Sequence, residues 1–106
     1  MKTMRLVAIA FMLASGTVLA QTATSFGQAD CGQWLSQKTE LRKGWILGYL
    51  SGMNIAHMAR GSPDTLNKFN SAEQVFAWID NYCRAKPLDS VGEGAAALML
   101  ELTIRN

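Results

Sequence analysis

Apolar positions in this chain recur with helical rather than strand spacing. From Glu40 to about Arg60, Leu41, Trp45, Tyr49, Met53 and Ala56 fall three or four residues apart, and Ile46 and Leu50 widen the stripe. This spacing predicts one long amphipathic helix. Val75, Phe76, Trp78, Ile79, Tyr82 and Cys83 outline a second apolar face, which Pro87 ends. Ser71 opens that helix, with Gln74 three residues on completing a capping box. A last helix runs through Ala95 to Leu102 and on to near Ile104. Ser90 with Glu93 gives it capping-box spacing, with Asp89 or Pro87 as equally good starts, and Gly92-Glu93-Gly94 forms its first turn. A short helix behind an Asp30 N-cap carries Cys31, Trp34 and Leu35. Gly61 ends the long helix, and Ser62-Pro63-Asp64 begins a turn in the loop 61–70. No stretch of useful length alternates with strand period, and there is no repeat or low-complexity tract. The expectation is an all-α single domain of about four helices.

The apolar run at the start is of another kind. Lys2 and Arg5 precede Leu6–Leu13; Ser15-Gly16-Thr17 loosens the segment, and Val18 and Ala20 stand at −3 and −1. That order is the pattern of a signal peptide cleaved between Ala20 and Gln21. The run falls short of the ~20 apolar residues a membrane span needs, so no stable membrane insertion is expected after cleavage. Cys31 lies too far along, behind Gln28-Ala29-Asp30, for a lipoprotein. The expected organisation is therefore a leader at 1–20, a flexible mature N-terminus at 21–29, and a helical domain at 30–106, with the mature protein soluble in the periplasm. Export changes the charge. The chain has 10 Lys+Arg against 8 Asp+Glu, and the leader removes Lys2 and Arg5, so the remainder is formally neutral. A neutral chain has no electrostatic footprint for nucleic acid or anionic membrane.

Both cysteines, Cys31 and Cys83, fall in the mature part, 52 positions apart. An exported protein with an even cysteine count reads as disulfide-bonded, and two cysteines allow one pairing. A bridge closing that loop is worth roughly 4 kcal/mol in the chain-entropy model, which matters in a chain this small. A metal pair would want further His or Cys ligands, and His57 is the one histidine; a redox pair would usually be spaced as CxxC.

Gly44, Gly48 and Gly52 recur every fourth residue on the long helix, followed by Ala56. Interior glycines cost about 0.5–1 kcal/mol each relative to alanine, so a compensating close approach is expected. Tight packing against a neighbouring helix of the same domain is the favoured form, with the alanines of the last helix as the neighbour. A groove for a partner or a homodimer seam is the alternative. The candidate interaction or packing face is Gly44, Trp45, Gly48, Tyr49, Gly52, Met53, Phe76 and Trp78. Trp34, Trp45, Phe76, Trp78 and Tyr82 read as core rather than as a ligand pocket. No nucleophile–base set, HExxH, P-loop or dinucleotide pattern is present, and His57 near the apolar edge lacks partners. No enzyme, metal site or cofactor is expected.

Several of these segments resemble a known family. A Cys followed by an aromatic and Leu (Cys31-Gly32-Gln33-Trp34-Leu35), a helix with Trp45-Ile46-Leu47-Gly48-Tyr49-Leu50-Ser51-Gly52, a helix ending Trp78-Ile79-Asp80-Asn81-Tyr82-Cys83, and a final amphipathic helix are similar to the HdeA/HdeB type of small periplasmic acid-stress proteins. The block Trp78–Asp89 also looks like a signature of small exported proteins of proteobacteria. The HdeA resemblance implies a four-helix fold with one bridge and a dimer that opens in acid to hold unfolding clients. In acid the carboxylates protonate while the basic groups stay charged, so a neutral chain becomes cationic and self-repelling. That would expose the apolar surface around Trp45, Tyr49, Met53, Phe76 and Trp78. The chain is also similar to Tai/Rap-type immunity proteins that neutralise type VI secretion amidases, though those commonly carry extra cysteines. The expected partners are therefore unfolded clients or one effector enzyme, with a homodimer as a further expectation.

Overall fold

The computed structural model describes residues 24–105. The leader, its cleavage point and the first mature residues lie outside them. Four helices follow in order: α1 (Cys31–Ser36), α2 (Glu40–Ala59), α3 (Ala72–Ala85) and α4 (Val91–Ile104), with a 3₁₀ turn at Leu66–Lys68. Among the described residues there is no strand. The all-α bundle is as the spacing indicates.

Six residues are too few for a helix to persist alone, so α1 depends on its ties. Its N-cap Asp30 accepts from the Gln33 backbone while Gln33 returns a side-chain acceptor to Asp30 N–H. Ser90 and Glu93 repeat the same box at the start of α4. The two starts then join. Cys31 N–H donates to Asp89 O at 2.9 Å, and Val91 N–H donates to Ala29 O at 2.9 Å. The segment leading into each helix thus satisfies an otherwise orphaned first-turn donor of the other. The Cys31–Cys83 disulfide fastens α1 to α3 with Cα atoms 4.9 Å apart.

The core forms where α3 and α4 meet each other and where α1 and α2 meet them. Trp34, Ile46, Leu50, Ile79, Leu98 and Met99 are wholly buried, as are both cysteines. Trp34 is tilted against Phe76 with ring centroids 6.1 Å apart, and the Lys43 ammonium sits over the other ring of that pair, Phe76, at 5.5 Å.

At the end of α2, Gly61 takes φ +94°. Ser62 N–H bonds to His57 O and Gly61 N–H to Met58 O, the paired bonds of a Schellman stop. The loop after it is held by Asn54, a buried polar residue of α2. Asn54 Nδ2 donates to Asp64 Oδ1 and its Oδ1 accepts from Thr65 N–H, both at 2.9 Å. Replacing Asn54 by leucine strands the buried Thr65 N–H, so a loss of about 1–3 kcal/mol is expected. Urea melts of the variant check this; an unchanged midpoint would show that the loop needs no such pin.

Two local expectations are corrected. Ser71 is the N-cap of α3, but its side chain makes no capping bond; Gln74 Oε1 instead accepts from Asn70 N–H, one residue earlier. The segment read as a flexible N-terminus is anchored over its described part. Phe26 O accepts from Trp45 Nε1, Gly27 (φ +78°) lies against the Trp45 ring, and Ala29 is buried.

Candidate functional site: the outer face of α2

A helix has one face to bury, and α2 buries Ile46, Leu50 and Asn54, with Leu47, Tyr49 and Met53 half-buried beside them. At 100° per residue the glycines fall almost opposite this face. Gly44, Gly48 and Gly52 are exposed, and among the described residues a methyl group added to any of them meets no atom within 4 Å beyond its chain neighbours and the helix's own backbone. The expected packing of this stripe inside the domain is therefore overturned. Leu41, placed by its spacing in the core stripe, is 84% exposed, because at 100° per residue it lies almost opposite Ile46 and Leu50, on which the buried face is centred. The alanines of α4 do not reach the glycines either: Ala95 is in the core and Ala96 faces Met53 and His57.

Close approach occurs at other glycines. A methyl group on Gly94 would lie 2.9 Å from Tyr82 Cδ1, and one on Gly92 would strike Gln28 Oε1. These open α4, where its backbone meets α3 and the N-terminal segment.

The outward face of α2 is uncharged from Leu41 to Ala59. It comprises Leu41, Gly44, Gly48, Gly52 and Ile55 (66% exposed), with exposed Ala56 and Ala59. The two basic side chains in the first turns of α2 are committed elsewhere. Arg42 donates to Gln33 O and Gln37 O, and Lys43 lies over Phe76. Trp45 and Tyr49 stack along one flank with centroids 4.8 Å apart, and exposed Phe26 extends that edge. The shape is a shallow apolar trough with large residues at its ends and no side chains along its floor.

The eight candidate residues do not share one surface. Gly44, Gly48 and Gly52 form the trough floor, and Trp45 and Tyr49 its flank. Met53 turns toward α4, into a cleft that His57 also lines. Phe76 is core beneath Lys43. Trp78 stands on the other side of α3, stacked on Tyr82 at 5.7 Å, with Nε1 donating to Glu101.

Asp80 and Asp89, which in the sequence look like solvated or capping positions, and Glu101 prove structural. Asp80 accepts from Trp34 Nε1 and pairs with Lys38, both at 2.8 Å; Glu101 accepts from Trp78; Asp89 accepts from the Tyr82 hydroxyl. Each joins two segments far apart in the chain or on either side of a turn. Burial, then the Asp89 hydrogen bond and the charges of Asp89 and Glu93, push the Tyr82 phenol up to about 12. The folded state therefore keeps a proton that the unfolded chain releases near pH 10. The stabilisation is complete below about pH 10 and is lost as pH rises through about 12. Melts across that window should show a steeper decline for the parent than for Tyr82→Phe; parallel declines would remove Tyr82 as the cause.

Among the described residues no three His, Cys, Asp or Glu groups cluster as a metal site, and no helix is long and apolar enough to cross a membrane. Comparison with known proteins found no matching family model, no matching curated relative and no matching solved structure.

Proposed function

We propose that this chain is an exported, non-catalytic protein that binds other proteins through the outer face of α2, acting as an acid-stress holdase of the HdeA type. The observation that carries the binding reading is the trough itself. Three interior glycines weaken α2 by about 0.5–1 kcal/mol each and, among the described residues, return no contact that a methyl group would lose. Local rules broken without an internal gain point to function, and a floor of glycine lets a partner's backbone come close.

The acid form of the reading rests on the carboxylate ties. Asp80, Asp89 and Glu101 hold Trp34, Tyr82 and Trp78. Protonating an accepting carboxylate turns a charge-assisted bond into a neutral one of about half the strength. Strong acid thus loosens three tertiary ties together while net positive charge builds. The disulfide, which does not titrate, keeps α1 on α3 throughout. The test is an acid titration of the oxidised protein from pH 7 to pH 2, following light scattering, tryptophan fluorescence and the aggregation of an added client. Suppression that appears in acid supports the holdase. Failure to suppress at every pH removes it.

A second reading is an immunity-type protein that blocks one effector enzyme. It is favoured by one feature: the α2 face is already open in the folded chain and needs no unfolding to present it. This reading predicts a single tight partner at neutral pH and indifference to unfolded clients.

A further inference from the structure

A cleft of about 370 Å³ lies between the C-terminal half of α2, the loop after it and α4. Its walls include Pro63, Ala96 and Leu100, and three side chains with metal-binding donors line it: Met53, His57 and Met99. Met53 and His57 stand one turn apart on α2, so their side chains are neighbours. Met99 comes from α4 and is almost wholly buried, which fixes the third donor to the core.

We propose that this cleft binds Cu(I), held by the His57 imidazole and the thioethers of Met53 and Met99. The donor set decides the ion. Thioethers are soft ligands that favour Cu(I), whereas carboxylates and carbonyls favour Mg²⁺, Ca²⁺ or Mn²⁺. Among the described residues no carboxylate lines the cleft. Two of its hydroxyls are spent on backbone, Thr65 on Pro63 O and Thr103 on Met99 O. The cysteines do not compete, because both are in the disulfide. Met58 is an internal control: its sulfur faces the Asn54 amide at 3.8 Å, and it does not line the cleft. This inference does not depend on the holdase reading.

The test is competition for Cu(I) between the oxidised protein and bicinchoninate, under ascorbate and without oxygen. The parent should withdraw one equivalent. Met53→Leu and Met99→Leu keep the side-chain volume and should each weaken binding at least tenfold, and His57→Phe should abolish it. Met58→Leu should bind as the parent does, and excess Zn²⁺ should not displace the copper. If Met99→Leu disturbs the core, half-buried Met53→Leu carries the comparison. The proposal is overturned if the parent leaves the chromophore untouched, or if Met53→Leu and His57→Phe compete as well as the parent.

Discussion

Replacing Gly44, Gly48 and Gly52 together by alanine is expected to stabilise the protein by roughly 1.5–3 kcal/mol, about 0.5–1 per site. In a domain of this size that raises the melting temperature by roughly 10 °C. The direction follows from the open space around all three: the new methyl groups clash with nothing, and α2 gains helix propensity at each. Gly94→Ala should move the other way by about 1–3 kcal/mol. Its methyl group would press on the Tyr82 ring, which is held between the Trp78 stack and the Asp89 hydrogen bond and has little room to yield. Both variants only add methyl groups at helical glycines, three on α2 and one on α4, so calorimetry on both reads the environment of the helices directly. A triple variant that melts below the parent would mean that α2 packs its glycines internally. The same variant fills the trough floor and is expected to lose client or partner binding while gaining stability. That combination separates a binding surface from a packing surface.

Removing the disulfide by a Cys31→Ala, Cys83→Ala double substitution is expected to cost about 4 kcal/mol in the chain-entropy model, given the 52-residue separation. Alanine is the better probe than serine because both sites are fully buried and would strand a hydroxyl. The damage should centre on α1. Without the bridge, that six-residue helix keeps the Asp30–Ser90 backbone pair and the Trp34–Asp80 bond, which cannot hold so short a helix by themselves. Hydrogen exchange should show α1 amides losing protection first, with α3 and α4 retaining theirs. A variant that melts with the parent would show the bridge to be dispensable.

The elements most legible in the sequence were those set by local chemistry. Helical spacing located the three longer helices, Asp30 declared the N-cap of α1, Ser90 with Glu93 was one of the starts open to α4, Gly61 marked the end of α2, and cysteine counting gave the pairing. The glycine stripe was visible, but not the side to which it turned. On α2 the residues Leu41, Trp45, Tyr49 and Met53 form as regular an apolar row as Ile46 and Leu50, so periodicity could not choose the buried face. Packing against α4 made that choice. The carboxylate ties were hidden for a related reason. Asp80 lies 46 positions from the Trp34 it accepts from, and Glu101 lies 23 from Trp78. Nothing in a window of sequence pairs residues that far apart. Asn54 was legible only as a polar interruption of an apolar helix. Its partners, Asp64 and Thr65, sit in a loop whose path depends on the Gly61 stop. The Met53–His57–Met99 cleft needs α4 laid across α2 before its donors meet.

The outer face of α2 looks to solvent, and its proposed role is to bind. Gly48→Arg places a long charged side chain at the centre of that face, where a methyl group would meet open space. The most direct measurement is client-aggregation suppression by this variant across the same acid range, with its melting curve as the control. The expected result is a protein that melts at or above the parent's temperature and no longer suppresses aggregation. A variant that folds normally and protects clients as well as the parent would contradict it.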